Sequence, residues 1–136
     1  MRLLVVLALG LILAGSASAD VFLAFRTPSG NIGCTFNSGL TPATLRCDIR
    51  SGLRPRPTKP RGCDLDWGDS YELRLRERAA ITCHGDTAIV PRSRVLRYGT
   101  RWRRGGFTCT SRVTGLRCTN RSGHGFFLSR AHSYRF

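Results

Sequence analysis

Leu45-Arg46-Cys47-Asp48-Ile49-Arg50-Ser51-Gly52 returns as Leu116-Arg117-Cys118-Thr119-Asn120-Arg121-Ser122-Gly123, with six identities in eight positions. Each copy follows another Cys-Thr pair, Cys34-Thr35 in the first case and Cys109-Thr110 in the second. Cysteines facing each other on neighbouring antiparallel strands lie within reach of one disulfide, so the simplest reading is two hairpins, each stapled across its strands. That framework defines a small β domain and specifies no reaction.

Register extends the argument. If Cys34 faces Cys47, Ile32 falls opposite Ile49 and Phe36 opposite Leu45, and all six share one face because strand side chains alternate. Pairing Cys109 with Cys118 predicts closure through a four-residue loop, Arg112-Val113-Thr114-Gly115, with Gly115 free to take positive φ. Cys63 and Cys83 then remain for each other. On the loop-entropy model each bridge contributes about 3 kcal/mol, comparable with the net stability of a small domain.

The amino terminus predicts export. Met1-Arg2 is a short positive segment, Leu3 to Leu13 an apolar run, and Ala17-Ser18-Ala19 a small-residue cleavage site before Asp20. The run is too short for a permanent membrane span, and Ser16 stands where a lipoprotein signal would need cysteine. The expected organisation is a signal peptide over 1–19 and one disulfide-rich β domain over 20–136, secreted or periplasmic. An oxidising compartment agrees with paired cysteines.

Further strands are expected outside the hairpins. Tyr71, Leu73, Leu75, Ala79, Ile81 and Cys83 are apolar, while Glu72, Arg74, Arg76, Arg78, Thr82 and His84 between them are polar. This period of two, broken at Glu77, predicts one bent strand or two short ones. Val21 to Phe25 reads as an opening strand before a turn at Pro28-Ser29-Gly30, and the proline-rich stretch 54–62 as an exposed, extended crossover. Ser129 to Arg135 is expected to form a short helical turn with Ser129 as N-cap. The predicted fold class is mainly β, a small single domain of disulfide-stapled antiparallel hairpins with that short C-terminal helical turn.

Thr27-Pro28-Ser29-Gly30-Asn31-Ile32-Gly33-Cys34, Leu45-Arg46-Cys47-Asp48-Ile49, Cys83-His84-Gly85-Asp86-Thr87, Tyr98-Gly99 and Gly123-His124-Gly125-Phe126-Phe127-Leu128-Ser129-Arg130 carry a resemblance. Together they resemble the phrases of a family of small secreted bacterial proteins catalogued as a domain of unknown function. The resemblance covers nearly all of residues 20–136 and implies that export and paired cysteines are family features. It implies no catalytic residues.

Charge is the second strong signal. The chain has 22 basic and 8 acidic residues, and all the basic ones except Lys59 are arginine. Such a surface attracts anionic polymers: envelope phosphates, acidic polysaccharide or nucleic acid. Arg74, Arg76 and Arg78 are expected to project from one strand face, and Arg101-Trp102-Arg103-Arg104 adds a ring suited to stacking or cation–π contact. The plainer reading is that these arginines only solvate a small domain.

A reading from another class rests on histidine. His84 and His124, flanked by arginines, could supply the acid and base of a small secreted phosphodiesterase or ribonuclease-like hydrolase. A Gly-His-Gly segment is also an ordinary turn. Asp64, Asp66, Asp69 and Glu72 cluster without the spacing of an EF-hand and are expected to pair with arginines; the cysteine and histidine spacings do not make a zinc site. Neither a phosphate-binding loop nor a Gly-x-Ser-x-Gly elbow is present. The sequence therefore predicts a cationic binding or structural component of the cell envelope, without cofactor, metal or catalytic residues.

Overall fold

The computed structural model describes residues 18–136, so the leader read in residues 1–19 lies, up to residue 17, outside the described residues. Two sheets carry the chain. The first has six strands in the order β5-β4-β3-β2-β1-β6 and comprises β1 (Phe22–Arg26), β2 (Ile32–Asn37), β3 (Thr44–Ile49), β4 (Ser70–Arg74), β5 (Ala80–Ile81) and β6 (Arg94–Val95). The second runs β11-β10-β9-β8-β7, from β7 (Arg101–Arg104), β8 (Phe107–Arg112), β9 (Gly115–Thr119), β10 (Gly125–Leu128) and β11 (Ser133–Arg135). Every pairing is antiparallel except β1 with β6.

The repeated octapeptide marks a structural repeat. Disulfides join Cys34 to Cys47 across β2 and β3, and Cys109 to Cys118 across β8 and β9, each with Cα atoms 4.1 Å apart. That is the close approach of a non-hydrogen-bonded pair. Each octapeptide ends in a turn whose glycine has positive φ, Gly52 at 75° and Gly123 at 79°. The glycine N–H donates three residues back, to the Ile49 carbonyl in one copy and the Asn120 carbonyl in the other. Only glycine adopts this backbone without a Cβ penalty, which accounts for the last residue of the repeat.

Flanking strands repeat as well. Phe25 on β1 stands opposite Cys34 and Tyr71 on β4 opposite Cys47; Trp102 on β7 and Phe126 on β10 take the same places around Cys109 and Cys118. Each sheet therefore has a row of aromatic, cysteine, cysteine, aromatic. The rows face one another, with Phe25 and Trp102 centroids 5.0 Å apart and Tyr71 and Phe126 5.5 Å apart. Phe36, two residues past Cys34, meets Phe107, two before Cys109, at 6.0 Å. The facing strands thus run in opposite directions. Leu45, Leu73, Leu116 and Leu128 complete a core shared by both sheets and both disulfides. Each large side chain buried there is worth roughly 1.5–3 kcal/mol.

Two expectations need correction, and one alternative is decided. The helical turn at Ser129–Arg135 is absent: no helix occurs among the described residues, and Ser133–Arg135 forms β11 against β10. The Ser129 hydroxyl does accept the His132 N–H at 3.0 Å, but Oγ also donates to the His132 carbonyl, which closes a single turn before the chain extends. Of the two alternatives for the run 71–84, the structure has the second: two short strands, with a reversal that sets Tyr71 against Ile81. The loop of the second hairpin is shorter than expected, because Arg112 and Gly115 already pair and leave two residues between them.

Candidate functional site

The two sheets differ in what covers their outer faces. On the six-stranded sheet Gly33, Asp48 and Ser70 lie in one outward row. Residues 86–89 cross it as a strap. Asp48, 2% exposed, accepts the Ala88 N–H at 2.7 Å and the Thr87 hydroxyl at 3.2 Å, and takes a bidentate pair from Arg46 at 2.9 Å on each oxygen. Arg46 also reaches the Asp86 carboxylate at 2.7 Å, a hydrogen bond that holds the Asp86 carboxyl below its ordinary pKa. A Cβ on Gly33 would lie 2.6 Å from the Ile89 Cα, so only glycine lets the strap lie this close.

His84 belongs to the same strap. Its ring is buried; Nδ1 bonds the Asp86 carbonyl at 2.6 Å and Nε2 the Asp69 carboxylate at 2.9 Å. With Asp69 ionised both partners are acceptors, so the arrangement favours the imidazolium, in which both nitrogens donate. Burial opposes that charge, but the bonds to Asp69 and the Asp86 carbonyl outweigh it and leave the pKa raised. Backbone pairing between Asp66 and His84, beside the Cys63–Cys83 disulfide, locks the segment. No ring nitrogen of His84 is left to meet a substrate.

The acidic cluster divides. Asp69 serves His84 and Glu72 lies 3.6 Å from Arg74, whereas Asp64 and Asp66 make no ion pair among the described residues, contrary to expectation. Nor do three or more His, Cys, Asp or Glu side chains converge on a metal-sized site there.

The outer face of the five-stranded sheet has no strap. Register places Arg101, Thr110, Arg117, Phe127 and Tyr134 in one row across all five strands. Arg103 and Thr108 begin the next row, and Arg112 lies two residues past Thr110 on the same face. The four arginines are exposed and make no ion pair among the described residues. The far side is aromatic: Phe127 stacks on Tyr134 at 5.3 Å and on His132 at 5.2 Å, and the Arg117 guanidinium lies 4.3 Å over the Phe136 ring. Gly115 and Gly125 make room for these rings, since a Cβ would collide with the Phe127 ring in one case and come within 2.9 Å of Phe136 in the other.

The residues expected to bind polyanions are redistributed. Arg101 and Arg103 share the open face, whereas Arg104 is exposed on the opposite side of β7. Trp102 is no stacking surface: its half-buried ring packs against Phe25 and Phe36, at 5.0 and 5.9 Å. Arg74, Arg76 and Arg78 do not share a strand face, because β4 ends at Arg74 and the other two lie in the reversal that follows. His124 is half-buried in the turn before β10. Arg112, Arg117, Phe127 and Tyr134 are members of the face that sequence reasoning missed. One signal points to this half of the chain: all 8 acidic residues lie at or before Asp86, which leaves residues 87–136 with eleven arginines and no acid.

Comparison with known proteins places the chain. Residues 3–136 match the model of a family of unknown function, DUF6636, and the chain belongs to that family. No curated protein and no solved structure matches it. Among the described residues no helix is long and apolar enough to cross a membrane.

Proposed function

We propose that this member of the family is an exported, non-catalytic module that binds anionic polymers along the outer face of its five-stranded sheet. The observation that carries the reading is the row from Arg101 to Tyr134, where cations without acidic partners adjoin aromatic rings on an uncovered face. Arginines attract phosphate or sulfate groups, and release of condensed counterions supplies the free energy. Rings beside them take the apolar faces of bases or sugars.

A purely protective role accounts for part of this pattern. Charges on β7, an edge strand, discourage pairing with another chain. Arg112 and Arg117 stand on the interior strands β8 and β9, where no edge needs protection. The hydrolase reading loses its support at His84, whose two nitrogens are occupied.

Binding of a labelled single-stranded oligonucleotide, with a sulfated polysaccharide as competitor, tests the proposal. Affinity should fall steeply with salt, and Arg101→Ser with Arg103→Ser should lower the slope of log K against log salt by roughly 0.7 for each phosphate no longer neutralised. Arg56→Ser, in the crossover, should leave it unchanged.

A further inference from the structure

Three turns separated widely in sequence close on one cleft at an end of the two sheets. It has a volume of about 470 Å³ and is lined by the 27–32 turn, by Tyr98, by the β8–β9 turn and by residues 129–132. That size suits a small organic ligand. Three of the phrases that carry the family resemblance meet here, those around Ser29, Tyr98 and Ser129.

The wall is rigid and its mouth is unsatisfied. Thr27, Ser29, Asn31 and Ser129 spend their polar atoms on their own turns and on Ser51, which fixes the lining. Tyr98, Arg112 and Arg130 are exposed and make no side-chain hydrogen bond or ion pair among the described residues. Val113 and Ala131 supply exposed apolar surface at the mouth, Val113 being 82% exposed at a turn tip, and the edge of buried Ile32 lies beneath them. No acidic residue lines the cleft.

We propose that this cleft binds a small amphiphilic anion, its phosphate or carboxylate held by Arg112 and Arg130 and its planar or apolar body resting on Tyr98, Val113 and Ala131. The inference goes beyond polymer binding: Arg130 and Val113 belong to the cleft alone and Arg101 and Arg103 to the open face alone, while Arg112 stands at the border of the two. Guanidinium groups match the planar fork of an oxyanion, and an apolar floor separates such a ligand from a bare ion.

The test is an NMR titration of the oxidised protein with phenyl phosphate, with inorganic phosphate and phenol as separate controls. Saturable shifts should be confined to residues 27–32, 98, 112–115 and 129–132, and each control should bind at least tenfold more weakly. Arg130→Glu and Val113→Asp, both at exposed turn positions, should each weaken phenyl phosphate at least tenfold while leaving the salt-dependent oligonucleotide binding in place. Shifts scattered over arginines elsewhere, equal binding of inorganic phosphate, or unchanged affinity in both variants would each overturn the proposal. Loss of oligonucleotide binding in Arg101→Ser with Arg103→Ser leaves the cleft titration unaffected, so the two ideas fail separately.

Discussion

Trp102 stands between arginines in sequence and between phenylalanines in space. Alternation along β7 turns its ring toward Phe25 and Phe36 while Arg101 and Arg103 face outward. Trp102→Ala should therefore cost roughly 3 kcal/mol of stability, read by chemical denaturation, with no change in the salt slope of polymer binding. His84 is equally misleading in sequence. Together with His124 it invites an acid–base reading, but burial and two acceptors make it a structural clamp. A histidine whose folded pKa is raised contributes fully below about pH 6.5, the ordinary value of the unfolded chain, and loses that contribution as pH rises through the folded pKa. The melting temperature should decline as pH rises above about 6.5, and His84→Gln should flatten the decline; an identical pH profile in the variant would show that the clamp is not charged.

Among the elements, the two stapled hairpins were legible because one repeated octapeptide, each time after a Cys-Thr pair, marks two equivalent pairs of cysteines. Apolar neighbours then set the register, and Ile32 does face Ile49. The facing aromatic rows were not legible, since Phe25, Tyr71, Trp102 and Phe126 become equivalent only once strands pair. Ser129 shows the opposite failure. A serine that accepts the N–H three residues on begins a helix or a single turn alike, and pairing of Ser133 with Leu128 decides for the turn. The strap over Gly33 yields a sharper forecast. Gly33→Ala places a methyl against the Ile89 backbone, which cannot move without breaking the Ala88–Asp48 bond. The expected loss is about 1–3 kcal/mol, with faster amide exchange confined to residues 86–90. A neutral substitution would mean that the strap is loosely held.

Charge is segregated over the molecule as a whole. Acids gather on the six-stranded sheet and its strap, where Asp48, Asp69 and Asp86 work as structural acceptors. That leaves the five-stranded sheet with arginines facing solvent beside stacked rings. Total charge was visible in the composition, but not which arginines share a face: Arg101, Arg112 and Arg117 come from three strands, and only pairing register aligns them. Polymer binding on this face is the central claim, and amide shift mapping of the oxidised protein against a single-stranded oligonucleotide tests it most directly. The account predicts perturbations along the row from Arg101 through Arg117 to Tyr134, abolished together by Arg101→Ser, Arg103→Ser and Arg117→Ser. Perturbations spread evenly over Arg56, Arg76 and Arg94, with no loss in that triple variant, would contradict it.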